Sequence, residues 1–330
     1  MKQILKCIEG IGIKREDKVL IQLWGNSNDL DYLDAFEEES KKYSDSITVY
    51  HHSKAGYMSQ FDEDDVVEKI DFKPFEENDV VIDLMAESIA PTPDFSKKAI
   101  GNYRVFMGEM FRRLMQSSTF VQLRLPTNEM ANSLGLDAKT YVEVLNHGLD
   151  VDYKEIKSTG EQMIKKVSNS QEFLIETGNE KLVVRVDDRP WHNDCGNGDI
   201  PCGEVYTPCI ETSANGRVLI ETTKLMDQTF ENIVLTFEDG KLIESSEPGF
   251  LKLLIEMNED SRRVGELGFG TNNGLSNLIN CPVLDEKIKG TAHIALGRNT
   301  MFGGKNEGEI HHDLVFRPTR VVFDGKDLIL

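Results

Sequence analysis

The sequence predicts an α/β N-terminal part built on a mainly parallel sheet, followed by a β-rich α+β part. Three observations carry this. Short apolar runs alternate with helical patterns through the first third, the rhythm of βαβ units. From Phe173 onward the periodicity changes to two, with turn residues between the runs. Pro126 and the polar stretch after it interrupt the first pattern before the second begins. The expected organisation is an α/β domain over 1–126 and a β-rich metal-binding domain over 127–330, with a cleft between them.

In chain order, Lys2–Glu9 reads as a helix ended by Gly10 and Gly12. Lys18–Trp24 is a strand that runs into Gly25-Asn-Ser-Asn-Asp, a turn able to cap a helix over Leu30–Lys42. Ile47–His51, Val80–Leu84 and Thr119–Leu125 are further strands, the last preceded by the amphipathic helix Tyr103–Met115. Leu136–Val167 reads as helices. Phe173–Thr177, Lys181–Val186, Arg217–Thr222, Asn232–Phe237 and Lys241–Glu244 are strands, with a hairpin turn at Glu238-Asp-Gly. Pro248–Glu256 is helical, and Arg320–Leu330 is a closing hairpin.

Lys and Arg number 37 against 57 Asp and Glu, a formal charge of -20. A field of that sign repels phosphate backbones and argues against a nucleic-acid partner, while it suits cations and free amines. No apolar run approaches the ~20 residues of a membrane span. The N-terminus lacks the apolar core and cleavage site of a signal peptide, so a cytoplasmic location with no membrane partner is expected. Cys7, Cys195, Cys202, Cys209 and Cys281 form no C-x-x-C pair and read as reduced thiols. Neither G-x-G-x-x-G after Trp24 nor G-x-x-x-x-G-K-[ST] is present, so the common nucleotide signatures are missing. Ser158, Ser261 and the cysteines have no histidine at a recognisable spacing, which argues against nucleophilic catalysis.

Acids and histidines collect at three places in the second half. In Asn197-Gly-Asp-Ile-Pro-Cys-Gly-Glu-Val-Tyr-Thr-Pro208, Glu204 starts a strand beside Gly203, where the backbone can approach a ligand closely. In Ser261-Arg-Arg-Val-Gly-Glu-Leu-Gly-Phe-Gly270, Glu266 lies between glycines in an apolar context, so its charge needs a partner. The third place runs from Thr291-Ala-His-Ile-Ala-Leu-Gly to Ile310-His-His-Asp313. If Glu309–Phe316 is a strand, its period of two puts His311 and Asp313 on one face and His312 on the other. An imidazole and a carboxylate so placed are half of a divalent-metal site.

Together these motifs resemble the thermophilic-type metallo-aminopeptidases, peptidase family M29, over most of residues 170–325. The resemblance rests on Ile200-Pro-Cys-Gly-Glu-Val-Tyr-Thr-Pro, Ser261-Arg-Arg-Val-Gly-Glu-Leu, His293-Ile-Ala-Leu-Gly and Ile310-His-His-Asp. It implies that Glu204, Glu266, His293, His311 and Asp313 are the ligands of two divalent ions (zinc, cobalt or manganese), with Glu266 bridging and His312 at a variable position. It also implies a peptide substrate, cleavage of the N-terminal residue and a homodimer. The family's catalytic tyrosine, seven residues after the histidine of His-Ile-Ala-Leu-Gly, is replaced by Thr300. Thr300, with Glu204 and Glu266, is the candidate catalytic group. An alternative is a ring-cleaving dioxygenase resembling 2,5-dihydroxypyridine dioxygenase, with one Fe(II) held by His293, His311 and Asp313 and a small-molecule substrate. Retention of Glu204 and Glu266 argues against it. A further alternative is a divergent metalloprotein without peptidase activity.

Three other groups stand out. Trp191-His192 reads as a structural aromatic beside a loop histidine, and His51-His52 as a surface pair. Met107, Met110 and Met115 fall at roughly helical spacing with Phe106 and Phe111 and read as core or dimer contact.

Overall fold

A computed structural model of the chain describes all residues except 54, 55, 58, 59, 92, 93 and 227. It divides into two compact units, Met1–Tyr153 with Gly196–Pro201, and Lys154–Cys195 with Cys202–Leu330. The helices Asn128–Leu134 and Ala138–Leu149 belong to the first unit, beyond the boundary that Pro126 marks in the sequence.

The first unit is built on a five-stranded parallel sheet. Lys18–Trp24 pairs with Ser46–His52 on one side and Val80–Met85 on the other, and Thr119–Arg124 and Asp199–Ile200 follow. Every residue of Val80–Met85 is buried, as befits a parallel strand covered on both faces. The two-residue strand Asp199–Ile200 is too short to show a period. Asp199 is held there by Arg124, whose Nη1 donates to its carboxylate at 2.7 Å.

The helices follow local chemistry. Lys97–Leu114 buries Ala99, Tyr103, Phe106, Met110 and Leu114, steps of three or four that line one face. Its N-cap, Ser96, accepts from the Ala99 N–H. Met110 is core, whereas Met115 is exposed. The expected N-terminal helix is two short ones, Lys2–Leu5 and Cys7–Ile11, the second ended by Gly12 at φ 75°. A surface position holds poorly for His52. It is fully buried and stacks on Trp24 with ring centroids 3.9 Å apart. Burial pushes its pKa down to about 3, so the ring is neutral.

The second unit contains two antiparallel sheets. One has seven strands in the order Lys241–Ser245, Gln228–Glu238, Asn215–Leu225, Glu180–Arg185, Glu172–Thr177, Arg320–Phe323 and Lys326–Leu328. The turn at Asp239 and Gly240 has φ of 49° and 81°, two left-handed residues as a primed hairpin turn requires. The other sheet has five strands in the order His311–Phe316, Ala292–Gly297, Val264–Gly270, Glu204–Pro208 and His192–Asp194. The sheets share one apolar core, to which Leu267, Ile294 and Phe316 of the second contribute with Ile175, Val218 and Leu235 of the first. One face of the five-stranded sheet is thereby spent on the core. Its other face carries the polar residues described next.

All five cysteines are free. Among the described residues no helix is long and apolar enough to cross a membrane.

Candidate metal centre

Strand alternation decides which residues meet. In Ala292–Gly297, Ala292, Ile294 and Leu296 enter the core, so His293 and Ala295 face the other way. In His311–Phe316, Leu314 and Phe316 enter the core, leaving His311 and Asp313 on the polar face. His312 points to the core side, where its Nε2 lies 3.0 Å from Thr223 Oγ1. Burial lowers its pKa to about 4, which makes it a neutral structural histidine.

Val264–Gly270 breaks simple alternation. Val264 pairs with Leu296 and Glu266 with Ala295, so Gly265 is the extra residue of a β-bulge. The bulge lets Val264 and Leu267, three apart, both enter the core while Glu266 faces the ligands. A Cβ at Gly265 would lie 2.8 Å from the Gly297 carbonyl, which is why glycine stands there. Small residues then alternate with ligands across the ladder. Ala295 stands between Glu266 and Asp313, and Gly268 between Tyr206 and His293.

The five residues expected from the sequence come together on this face. His293 Nε2 lies 3.0 Å from Glu266 Oε1 and 3.3 Å from Glu204 Oε2. His311 Nε2 lies 3.4 Å from Asp313 Oδ1 and 3.7 Å from Glu266 Oε2. Glu266 therefore directs one oxygen to each histidine. His311 Nδ1–H donates to the Arg298 carbonyl at 2.7 Å, which orients the ring and leaves Nε2 for a metal. Glu204 Oε2 and Asp313 Oδ1 are buried and make no hydrogen bond. Two buried acceptor oxygens aimed among imidazoles fit a divalent cation, and so does this hard-oxygen and imidazole donor set.

Residues 40–316 match the family model of the thermophilic metalloproteases, M29. The chain belongs to that family. Among solved structures, it is similar in fold to wild-type AmpT from Thermus thermophilus, with a TM-score of 0.70 and 16% identity over 99% of this chain and 97% of that one. No curated protein matches the sequence.

Three residues of this M29 chain that the sequence reading passed over also reach the site. Glu286 joins Glu204 and His293, with candidate ligand atoms all within 4.8 Å of one another, while Glu266, His311 and Asp313 form a second such group. Lys287 Nζ lies among Glu204, Glu286 and Asp194. In sequence Asp285-Glu-Lys287 looks like a solvated turn. Its position between Leu284 and Ile288, just ahead of the His293 strand, was the available signal. Asp285 is buried too and caps the loop, accepting from the Ile279 and Cys281 N–H groups.

Trp191 is the structural aromatic that the sequence suggests, while His192 and Thr300 depart from expectation in placement. Trp191 packs on Phe173 and Phe269. His192 is on a strand, not a loop, and stacks on Tyr206. Thr300 is exposed, in the turn whose Phe302 packs edge-on against His311. That turn is anchored by the buried Asn299, whose side chain donates to the Gly265 carbonyl and accepts from the Asn306 N–H.

Charge sets a pH dependence for metal binding by this M29 site. Burial works against a charged His311, but the Asp313 carboxylate 3.4 Å away and the Glu266 charge prevail and raise its pKa to about 10. His293 is raised as well, burial being outweighed by Glu266 and Glu204. A metal ion bound by these two imidazoles would have to displace their protons. Apparent affinity is therefore expected to rise with pH until about pH 10, with proton release near neutrality. Calorimetry in buffers of different ionisation enthalpy reads the protons released. An affinity flat between about pH 6 and 9 would contradict this.

Proposed function

We propose that this chain is a metal-dependent aminopeptidase that removes the N-terminal residue of peptides with a water activated between two divalent ions. The observation that carries this is Glu266, whose two oxygens face the two histidines of separate ligand groups. Glu204 and His293 would hold one ion and His311 and Asp313 the other, with Glu266 reaching both groups. Ions bound there would supply a Lewis acid for the scissile carbonyl and a water of lowered pKa. Glu266 would act in catalysis by holding the ions and the water between them, its two oxygens turned to the two histidines. Glu204, on the neighbouring strand, would act in catalysis as a ligand through Oε2, the oxygen turned to His293. The surrounding acids favour a substrate with a free α-ammonium. Thr300 stands where the resemblance puts a phenol, and its hydroxyl is the candidate donor to the developing oxyanion. The free cysteines accord with a cytoplasmic location, and a homodimer is carried over from the family resemblance.

Aminoacyl p-nitroanilides test this directly. Protein stripped with chelator and reloaded with zinc, cobalt or manganese is expected to cleave substrates with a free amine and to spare their N-acetyl counterparts. Loaded protein that cleaves neither would sink the reading. Oxygen uptake with a dihydroxypyridine, dependent on ferrous ion, would support the dioxygenase instead.

A further inference from the structure

The metal-holding roles above leave Glu286, Lys287 and Asp194 unused, yet all three are buried at the centre. Lys287 is 1% exposed, and its Nζ lies 2.5 Å from Glu204 Oε1, 2.9 Å from Glu286 Oε1 and 3.3 Å from Asp194 Oδ2. An ammonium has three N–H donors, and here each has a carboxylate to meet. Removing an ammonium from water to this depth is costly unless it is paired, so acids and lysine hold one another in place.

The consequence for the acids is directional. Glu204 is contacted by Lys287 through Oε1, and its Oε2, without a hydrogen bond, is turned to His293 Nε2. Glu286 is likewise contacted through Oε1, and it offers a ligand atom to the group that Glu204 and His293 form. We propose that Glu286 is a sixth metal ligand, completing the Glu204–His293 position. Lys287 is then the positioning residue that leaves each of these two glutamates one oxygen to offer. This rests on the two-metal reading above. Charge agrees with it: the five carboxylates Asp194, Glu204, Glu266, Glu286 and Asp313 are balanced by one ammonium and two divalent ions.

The test is a zinc titration of chelator-stripped protein against a competing chromogenic chelator, which reads stoichiometry and affinity without activity. Wild-type protein is expected to bind two ions. Lys287→Met and Glu286→Gln should each keep one ion at wild-type affinity, in the Glu266–His311–Asp313 group, and bind the other about 10- to 100-fold more weakly. Both ions held as tightly as in wild type would overturn the proposal. So would loss of both ions equally by a variant that melts at the wild-type temperature. The charge-compensated pair Lys287→Met with Asp194→Asn covers the chance that the single lysine variant does not fold. It should show the same one-site loss, and wild-type affinity there would mean that Lys287 only balances charge. Fewer than two ions on wild-type protein would defeat the two-metal reading itself, a result distinct from any variant outcome.

Discussion

Gly268→Ala is expected to abolish peptide hydrolysis and to weaken metal binding by about 10- to 100-fold or more. The reason is steric and local. Gly268 sits opposite His293 in the ladder, and a Cβ there would lie 2.1 Å from His293 Nε2 and 2.3 Å from Cε1. Those are the imidazole atoms that face Glu266 and Glu204. The methyl cannot be accommodated without rotating the ring, and His293 has no room to retreat because it is fully buried. A misplacement of about 1 Å at the reacting centre costs roughly 100-fold in rate by itself. Overpacking should cost the fold only about 1–3 kcal/mol, so the protein is expected to remain folded with a lowered melting temperature. Wild-type metal affinity in this variant would show that His293 binds no metal from its present position.

Glu266→Gln is expected to reduce kcat/KM by more than about 100-fold, beyond what loss of a merely outer-shell partner costs. The amide preserves volume but removes the charge and turns one oxygen into an NH2 donor, which must point at one of the two imidazoles. Both ligand groups suffer, because Glu266 contacts both histidines. His311→Ala touches only one of them and is expected to lose one ion of two. Metal analysis separates the cases: Glu266→Gln with two tightly held ions would remove Glu266 from the bridge.

Much of the fold was legible in the sequence because its signals are local. The four long strands of the parallel sheet, the primed hairpin turn at Asp239 and Gly240 and the helix at Pro248 each carry their own periodicity or turn residues within a few positions. Asp199–Ile200 was not legible, since two residues define no period and its partner, Gln122–Leu123, is far away in sequence. The site divides in the same manner. His311 and Asp313 were visible because strand alternation alone puts them on one face, and His312 on the other. Glu204, Glu266 and His293 could be brought together only by resemblance, since their meeting depends on register between three strands. The bulge at Gly265 that aims Glu266 is likewise a matter of pairing. Glu286 and Lys287 stayed hidden because buried charges look like solvated ones until their partners are known. His52 was misjudged for a related reason: a terminal strand histidine is ordinarily exposed, and only the stacking partner Trp24 shows that it is not.

On the proposed reading, one face of the five-stranded sheet would hold two divalent ions with Glu266 reaching both. The most direct measurement is the identity and number of metal ions on protein purified without oxygen or chelator, by elemental analysis against protein concentration. Two non-iron divalent ions per chain are the predicted result. A single ferrous ion per chain, or none bound even after reconstitution, would contradict it.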